Sequence, residues 1–365
     1  MPGLRGGPPG TTGIPFLLMR GGTSRGPCLR RADLPADRDA LTALLLDIVG
    51  AGHPLNIDGV GGGASVTTKV VMLSRADRDG ADIDYFFAQV GVEDRIVDYA
   101  PTCGNMLAAV GPAAIEFGLV EATGPETSVV IHAVNTGALV DARIRTPDGM
   151  SDYAGDCAID GVPGRAAPVL LNFRNTVGAL TGKLLPSGQA TDRIEGVDVS
   201  CVDLAMPVVF ARAADLGLSG AETPAELDAM PALLDRIEGI RRTAAARMGM
   251  PDPAASVVPK FALLSPPRHG GTATVRYFTP WRCHPTVAVT GAQCTAACIA
   301  LPDTVADGLA APRAGVTCAI EHASGRILVE VNRFDPDPAG AGVDMAVVRT
   351  ARKIAEGRVF PRPPA

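Results

Sequence analysis

The chain predicts a two-domain α+β protein made of two similar halves. Two observations carry that prediction. Each half holds a short, apolar, nearly uncharged helix that opens beside glycine and cysteine, at Cys103-Gly104-Asn105-Met106 and again at Gly291-Ala292-Gln293-Cys294. Each of these helices lies among short runs with strand character. A length of 365 residues also exceeds what one hydrophobic core usually serves.

Residues 1–13, opening Met1-Pro2-Gly3-Leu4-Arg5, read as a disordered lead-in without the apolar segment of a signal peptide. The first domain is expected over residues 14–185. Ile14 to Arg20 forms a strand leading into Gly21-Gly22-Thr23-Ser24-Arg25-Gly26, a turn whose glycines let backbone N–H groups approach a ligand. Asp37 to Val49 is an amphipathic helix. Asp58 to Lys69 follows, with a glycine run, three hydroxyl residues and a lysine. Its spacing is wrong for a Walker loop, and Val70 and Val71 continue as a strand, so Lys69 is placed at a strand start after a glycine turn. Strands are expected at Tyr85–Val90, Ser128–Val134, Ala138–Arg145 and Val169–Asn172. The apolar helix runs from Gly104 to Gly118, after an extended approach through Pro101 and Thr102.

Thr181 to Gly188 is a turn-rich connector, and the second domain is expected over residues 186–365. Strands are expected at Gly196–Asp203, Val208–Ala211, Lys260–Ser265 and Thr272–Phe278. A helical region, Glu226–Arg247, is interrupted near Pro231. The second apolar helix covers Gly291–Ala300, and a terminal helix is expected over Val343–Gly357 with Arg349, Arg352 and Lys353.

A helix N-terminus carries free N–H groups and partial positive charge. A thiol placed there ionises more readily, and a carboxylate can be held there without arginine. Cys103 is therefore a candidate acid/base group, although a small buried hydrophobe would satisfy the same pattern. Arg20, Thr23, Ser24, Ser65, Thr68, Gly104, Asn105, Met106, Arg282, Thr290, Gly291 and Ala292 flank the glycine turns and helix starts, where a polyanion would be held. Cys283, His284, Cys294 and Cys298 could be read as zinc ligands, but Cys294 and Cys298 sit four apart on an apolar helix with no second pair, so core cysteines are expected. No dinucleotide fingerprint or nucleophile elbow is present. Neither a metal nor an organic cofactor is expected.

Hydrophobic residues are 47%, charged residues 20% and aromatics 4%, so the core must be aliphatic. Lys plus Arg is 33 against 39 Asp plus Glu, a net charge of −6, with no basic patch for nucleic acid. No apolar run is long enough to span a membrane. Eight scattered cysteines do not suggest a disulfide framework, and reduced thiols in the cytoplasm are expected.

Met19-Arg20-Gly21-Gly22-Thr23-Ser24-Arg25-Gly26, Cys103-Gly104-Asn105-Met106, Asp160-Gly161-Val162-Pro163-Gly164, Ala288-Val289-Thr290-Gly291-Ala292 and Arg349-Thr350-Ala351-Arg352 fall in an order that resembles the PrpF-like isomerases. The resemblance runs from about Ile14 to the C-terminus. Val202 to Val209 and Val289 to Cys294 look most like the branch acting on 4-oxalomesaconate in gallate and protocatechuate catabolism. The resemblance implies the diaminopimelate-epimerase-like fold: two similar domains, each a β-barrel-like sheet wrapped around a central helix, with the site in a cleft between them. It implies one cysteine and one lysine as acid/base groups, at positions matched by Cys103 and Lys69. The implied substrate is a small keto tricarboxylate, and a homodimer is admitted. Epimerases of this fold place a second cysteine just after Thr-Gly-Ala, where this chain has Gln293. Cys294 comes one residue later, a turn of about 100° around the helix, which favours a Cys/Lys isomerase over a two-cysteine racemase. Methylaconitate as substrate, or carboxylate binding without catalysis, are the alternatives.

Overall fold

The computed structural model describes residues 13–100, 102–174, 176–279, 281–309, 316–335 and 342–362. The expected lead-in, apart from Gly13, lies outside the described residues, as does Pro101. The chain divides into two compact units: residues up to Leu171 together with those from Arg349 onward, and Asn172–Val348. The division thus falls near 171 rather than 185, and the last stretch of chain returns to the first unit.

The first unit contains β1 (Ile14–Gly21), β2 (Ser24–Arg30), α1 (Arg38–Val49), β3 (Lys69–Arg75), β4 (Ile83–Val90), β5 (Val97–Asp98), α2 (Gly104–Glu116), β6 (Glu126–Ala133), β7 (Ala138–Arg145) and β8 (Pro168–Phe173). Its sheet runs β1-β2-β3-β4-β6-β7-β8 and then meets the final strand, which also pairs with β1, so the eight strands close on themselves. Helix α2 packs against β1, β2, β3 and β7. Ten consecutive residues, Met106 to Ile115, are buried, which explains why this helix has no polar face. Side chains alternate across the strands. Leu29, Val70, Met72, Ala88 and Val90 form the opposite layer with Leu41, Leu45, Ile48 and Val49 of α1.

The second unit contains β9 (Asp192–Ile194), β10 (Val197–Asp203), β11 (Pro207–Arg212), α3 (Pro224–Asp228), α4 (Pro231–Arg247), β12 (Lys260–Ser265), β13 (Ala273–Phe278), α5 (Val289–Ala300), β14 (Val316–His322), β15 (Gly325–Asp335) and the start of β16 (Gly342–Val359). The strands follow the order β9-β10-β11-β12-β13-β14-β15-β16. Val208, Phe210, Ala262 and Leu264 pack with α5, whereas the intervening Val209, Ala211, Phe261 and Leu263 pack with Ile237, Ile240 and Ala244 of α4. The break foreseen near Pro231 is real: α3 ends at Asp228 and Pro231 is the first residue of α4.

One element differs in kind. Val343–Gly357 is not a helix but most of the 18-residue strand β16. Its first half pairs with β15, Val347 opposite Val329, and its second half with β1, Ala351 opposite Gly21. Alanines and basic residues suggest a helix locally, but a ladder along both halves overrides that preference. Strands β14 and β15 have no counterpart in the sequence reading.

Candidate active site

Cys103 is the N-cap of α2, with extended backbone at φ −124° and ψ 104° and no side-chain hydrogen bond to the helix start. Helix α1, by contrast, is capped by Asp37, and α3 has a complete Thr223/Glu226 capping box. Among the described residues no side chain bonds to the first N–H groups of α2, and these groups can hold an anion. The Cys103 carbonyl accepts a hydrogen bond from the Tyr85 hydroxyl at 3.3 Å. Burial, and next the nearby Cys103 thiol, push the Tyr85 hydroxyl well above the usual tyrosine range, so it remains a donor.

Asn105, in the first turn, donates from Nδ2 to Thr23 Oγ1 at 3.0 Å. This contact explains the glycine pair. A side chain at Gly21 would meet the Asn105 carbonyl oxygen and Met106, and one at Gly22 would overlap the Asn105 side chain. Gly22 also has φ +53°, where glycine is favoured. Gly104 opens the helix, and Met106 is fully buried in the core.

Lys69 opens β3, as expected, directly opposite Gln89 on β4. Its Nζ donates to Gln89 Oε1 at 2.6 Å and lies 5.5 Å from the Phe87 ring centroid. Gln89 is itself tethered, donating from Nε2 to the Ser65 carbonyl, the Thr68 hydroxyl and the Val90 carbonyl at 3.1–3.2 Å. Thr68 in turn donates to Val90 O at 2.6 Å. Thus Ser65, Thr68 and Lys69 form one network, joined by a glutamine the sequence reading missed. Its signal was a polar residue next to the end of a largely apolar strand, but only the β3–β4 register makes it Lys69's partner.

The two clusters belong to one end of the sheet. Gly26 lies so close to the Lys69 carbonyl that a Cβ there would overlap the oxygen. Thr23, which holds Asn105, is three residues from Gly26, at most about 10 Å of extended chain. Tyr85, Phe87 and Gln89 share one face of β4, running from the Cys103 carbonyl to Lys69.

Arg20 behaves differently. Leu17 and Met19 are buried, and Gly21 lies against α2, so the alternation turns Arg20 to the other face of β1. Its Nη1 donates to the carbonyls of Gly22 and Thr350, both at 2.9 Å. Burial, and then repulsion from Arg352, lower its pKa. Arg20, Thr23 and Ser24 line a cavity of about 170 Å³ with Thr67 and Pro163.

In the second unit, α5 begins at Val289, so Thr290, Gly291 and Ala292 form its first turn, again with no side-chain cap. A side chain at Gly291 would press on the Tyr277 ring. Arg282 is exposed. Cys294 and Cys298 are fully buried, and Cys294 Sγ donates to Val202 O at 3.3 Å. Burial pushes both thiols up, Cys298 to about 12. These are core groups. All eight cysteines are free, and no helix among the described residues is long and apolar enough to cross a membrane.

Residues 11–362 match the family described as PrpF protein. The chain is 46% identical to a 4-oxalomesaconate tautomerase of Pseudomonas putida, covering 96% of each sequence. It is likewise 46% identical to a (4E)-oxalomesaconate Delta-isomerase of Novosphingobium, over 95% of this chain and 97% of that one. A crystal structure of methylitaconate-delta-isomerase superposes with a TM-score of 0.86 at 35% identity, covering 96% of both chains.

Proposed function

We propose, from the premise that this chain belongs to the PrpF family and is an isomerase of the diaminopimelate-epimerase-like fold, that it moves a proton on 4-oxalomesaconate with Cys103 and Lys69 as its acid/base pair. The observation that carries this reading is an uncapped helix start bearing a thiol, at the same end of the sheet as a lysine fixed by a tethered glutamine. Relatives that share nearly the whole chain act on oxalomesaconate.

One member of the pair, in its basic form, takes a proton from a carbon conjugated with the keto group. The C–H electrons move into a dienolate, and negative charge gathers on the keto oxygen. The other member, in its acid form, returns a proton at a different position. Composition is unchanged, and no oxidant or reductant is required. Donors aimed at developing charge in a water-poor site are worth more than in bulk solvent. The open N–H groups of α2 can fill that role, holding a carboxylate or the dienolate oxygen. Gln89 limits where the Lys69 ammonium can point, which places its proton before the substrate arrives.

The test is incubation with 4-oxalomesaconate, and separately with methylaconitate, in deuterated buffer followed by proton NMR. Deuterium should enter the oxalomesaconate product at carbon. Faster turnover of methylaconitate would reassign the substrate. Tight binding of either compound without exchange would make this a carboxylate-binding protein.

A further inference from the structure

We infer that the outer face of β1 carries a second anion site, a cationic cavity that binds a small polyanion of the polycarboxylate or phosphate type. The cavity measures about 370 Å³ and is lined by Arg20, Tyr153, Cys157, Arg165, Thr350 and Arg352, among others. Neither Cys103 nor Lys69 lines it. All of these residues belong to the first unit.

Its construction follows from the β1–β16 register. Arg20 stands directly opposite Arg352, so the two guanidinium groups share the strand face turned away from α2. Like charges placed opposite each other on a sheet are unfavourable. Among the described residues no carboxylate lines the cavity to offset them. Arg20 spends its Nη1 hydrogens on two carbonyls. Among the described residues the Arg165 side chain binds only the Asp156 carbonyl, at 2.7 Å. Among the described residues the Arg352 side chain has no hydrogen-bond or ion-pair partner. Tyr153 of the lining donates to Glu116 at 3.1 Å, and the charge of that carboxylate is answered by Lys353 at 2.6 Å. Three arginines therefore converge on one concave, half-enclosed space with unspent donors. Planar guanidinium forks match carboxylate and phosphate oxygens.

The segment Asp160-Gly161-Val162-Pro163-Gly164 closes the cavity. Gly161 has φ +84° and lies against the Thr23 methyl, and the adjoining chain is pinned by a Cys157–Ala166 bridge. Val162 and Pro163 line both this cavity and the smaller one beside Thr23. This gives a role to two motifs, Asp160–Gly164 and Arg349–Arg352, that the acid/base pair leaves unused.

Cys157 is a reporter built into the wall. Its thiol is partly exposed, and burial raises its pKa while Arg165 and Arg349 pull it down. The experiment measures N-ethylmaleimide labelling of Cys157 by peptide mass spectrometry at mildly alkaline pH. Labelling is followed with citrate or inorganic phosphate added, for the parent and for an Arg165→Ala/Arg352→Ala variant. Each protein is compared with its own anion-free rate. Both arginines are exposed, so the variant should fold, and its Tm is checked. Saturable protection of at least tenfold in the parent, falling below twofold in the variant, is the expected result. Protection by citrate alone assigns the site to polycarboxylates, and protection by phosphate alone to phosphoryl groups. No protection by either anion, or equal protection in the variant, overturns the proposal. Cys103 labelling in the same samples follows the acid/base site separately, so the two readings can fail independently.

Discussion

Replacing Gln89 with Leu removes the acceptor that holds the Lys69 ammonium at 2.6 Å. A hydrogen bond to a charged group is worth about 1.5–3 kcal/mol, which corresponds to roughly 10- to 150-fold in rate. Lys69 is half-buried, so water can partly replace the lost partner, and the lower end, about tenfold, is expected. Because the bond positions a proton and does not itself touch substrate, the fall should appear in kcat with KM little changed. The decisive assay is a double-mutant cycle with Lys69→Ala, read by turnover of 4-oxalomesaconate. Lys69→Ala alone should cost about a hundred- to ten-thousand-fold. In that background Gln89→Leu should cost less than twofold more, since the group it positions is gone. Gln89→Glu, which keeps an acceptor, should recover most of the activity. Equal losses from Gln89→Leu with and without Lys69 would refute the positioning argument. So would near-parental kcat in a folded Gln89→Leu protein.

Cys103→Ser should lower turnover by at least about a hundredfold with the Tm nearly unchanged, while Cys294→Ala should lower the Tm and leave turnover largely intact; steady-state kinetics beside thermal melts decide. Glu321 accepts from the backbone N–H groups of Arg268, His269 and Gly271 and from Thr274 Oγ1 at 2.7–2.8 Å, and although burial works to raise it, these bonds hold its carboxyl at about 2. Its stabilising contribution is therefore complete above the unfolded carboxyl pKa of about 4.3 and is lost as pH falls toward about 2. Glu321→Gln should cost about 1.5–3 kcal/mol at pH 7, and the gap from the parent in urea melts should narrow as pH drops from 4.5 to 3. Gly26→Ala would drive a methyl group into the Lys69 carbonyl and should cost about 3 kcal/mol or more, read as a lower urea midpoint.

Much of this protein was legible before any coordinates. The helix starts at Cys103 and near Gly291, Lys69 at a strand start and the break at Pro231 are local features, set by apolar runs, glycine and proline, and they appear where the pattern puts them. The order of the short motifs carried the resemblance to the family. What the sequence could not determine by itself was pairing. Val343–Gly357 has helix-compatible composition and becomes a strand because β15 and β1 both offer it a ladder. Gln89 becomes the partner of Lys69 only because β3 and β4 meet in that register. Arg20, expected among the groups around the helix start, is turned to the opposite face by the period of two along β1, where Arg352 meets it. Local periodicity specifies which residues are buried and where elements begin. Strand register is a non-local choice, and a shift of one residue exchanges the two faces, so tertiary structure decided which side chains could act together.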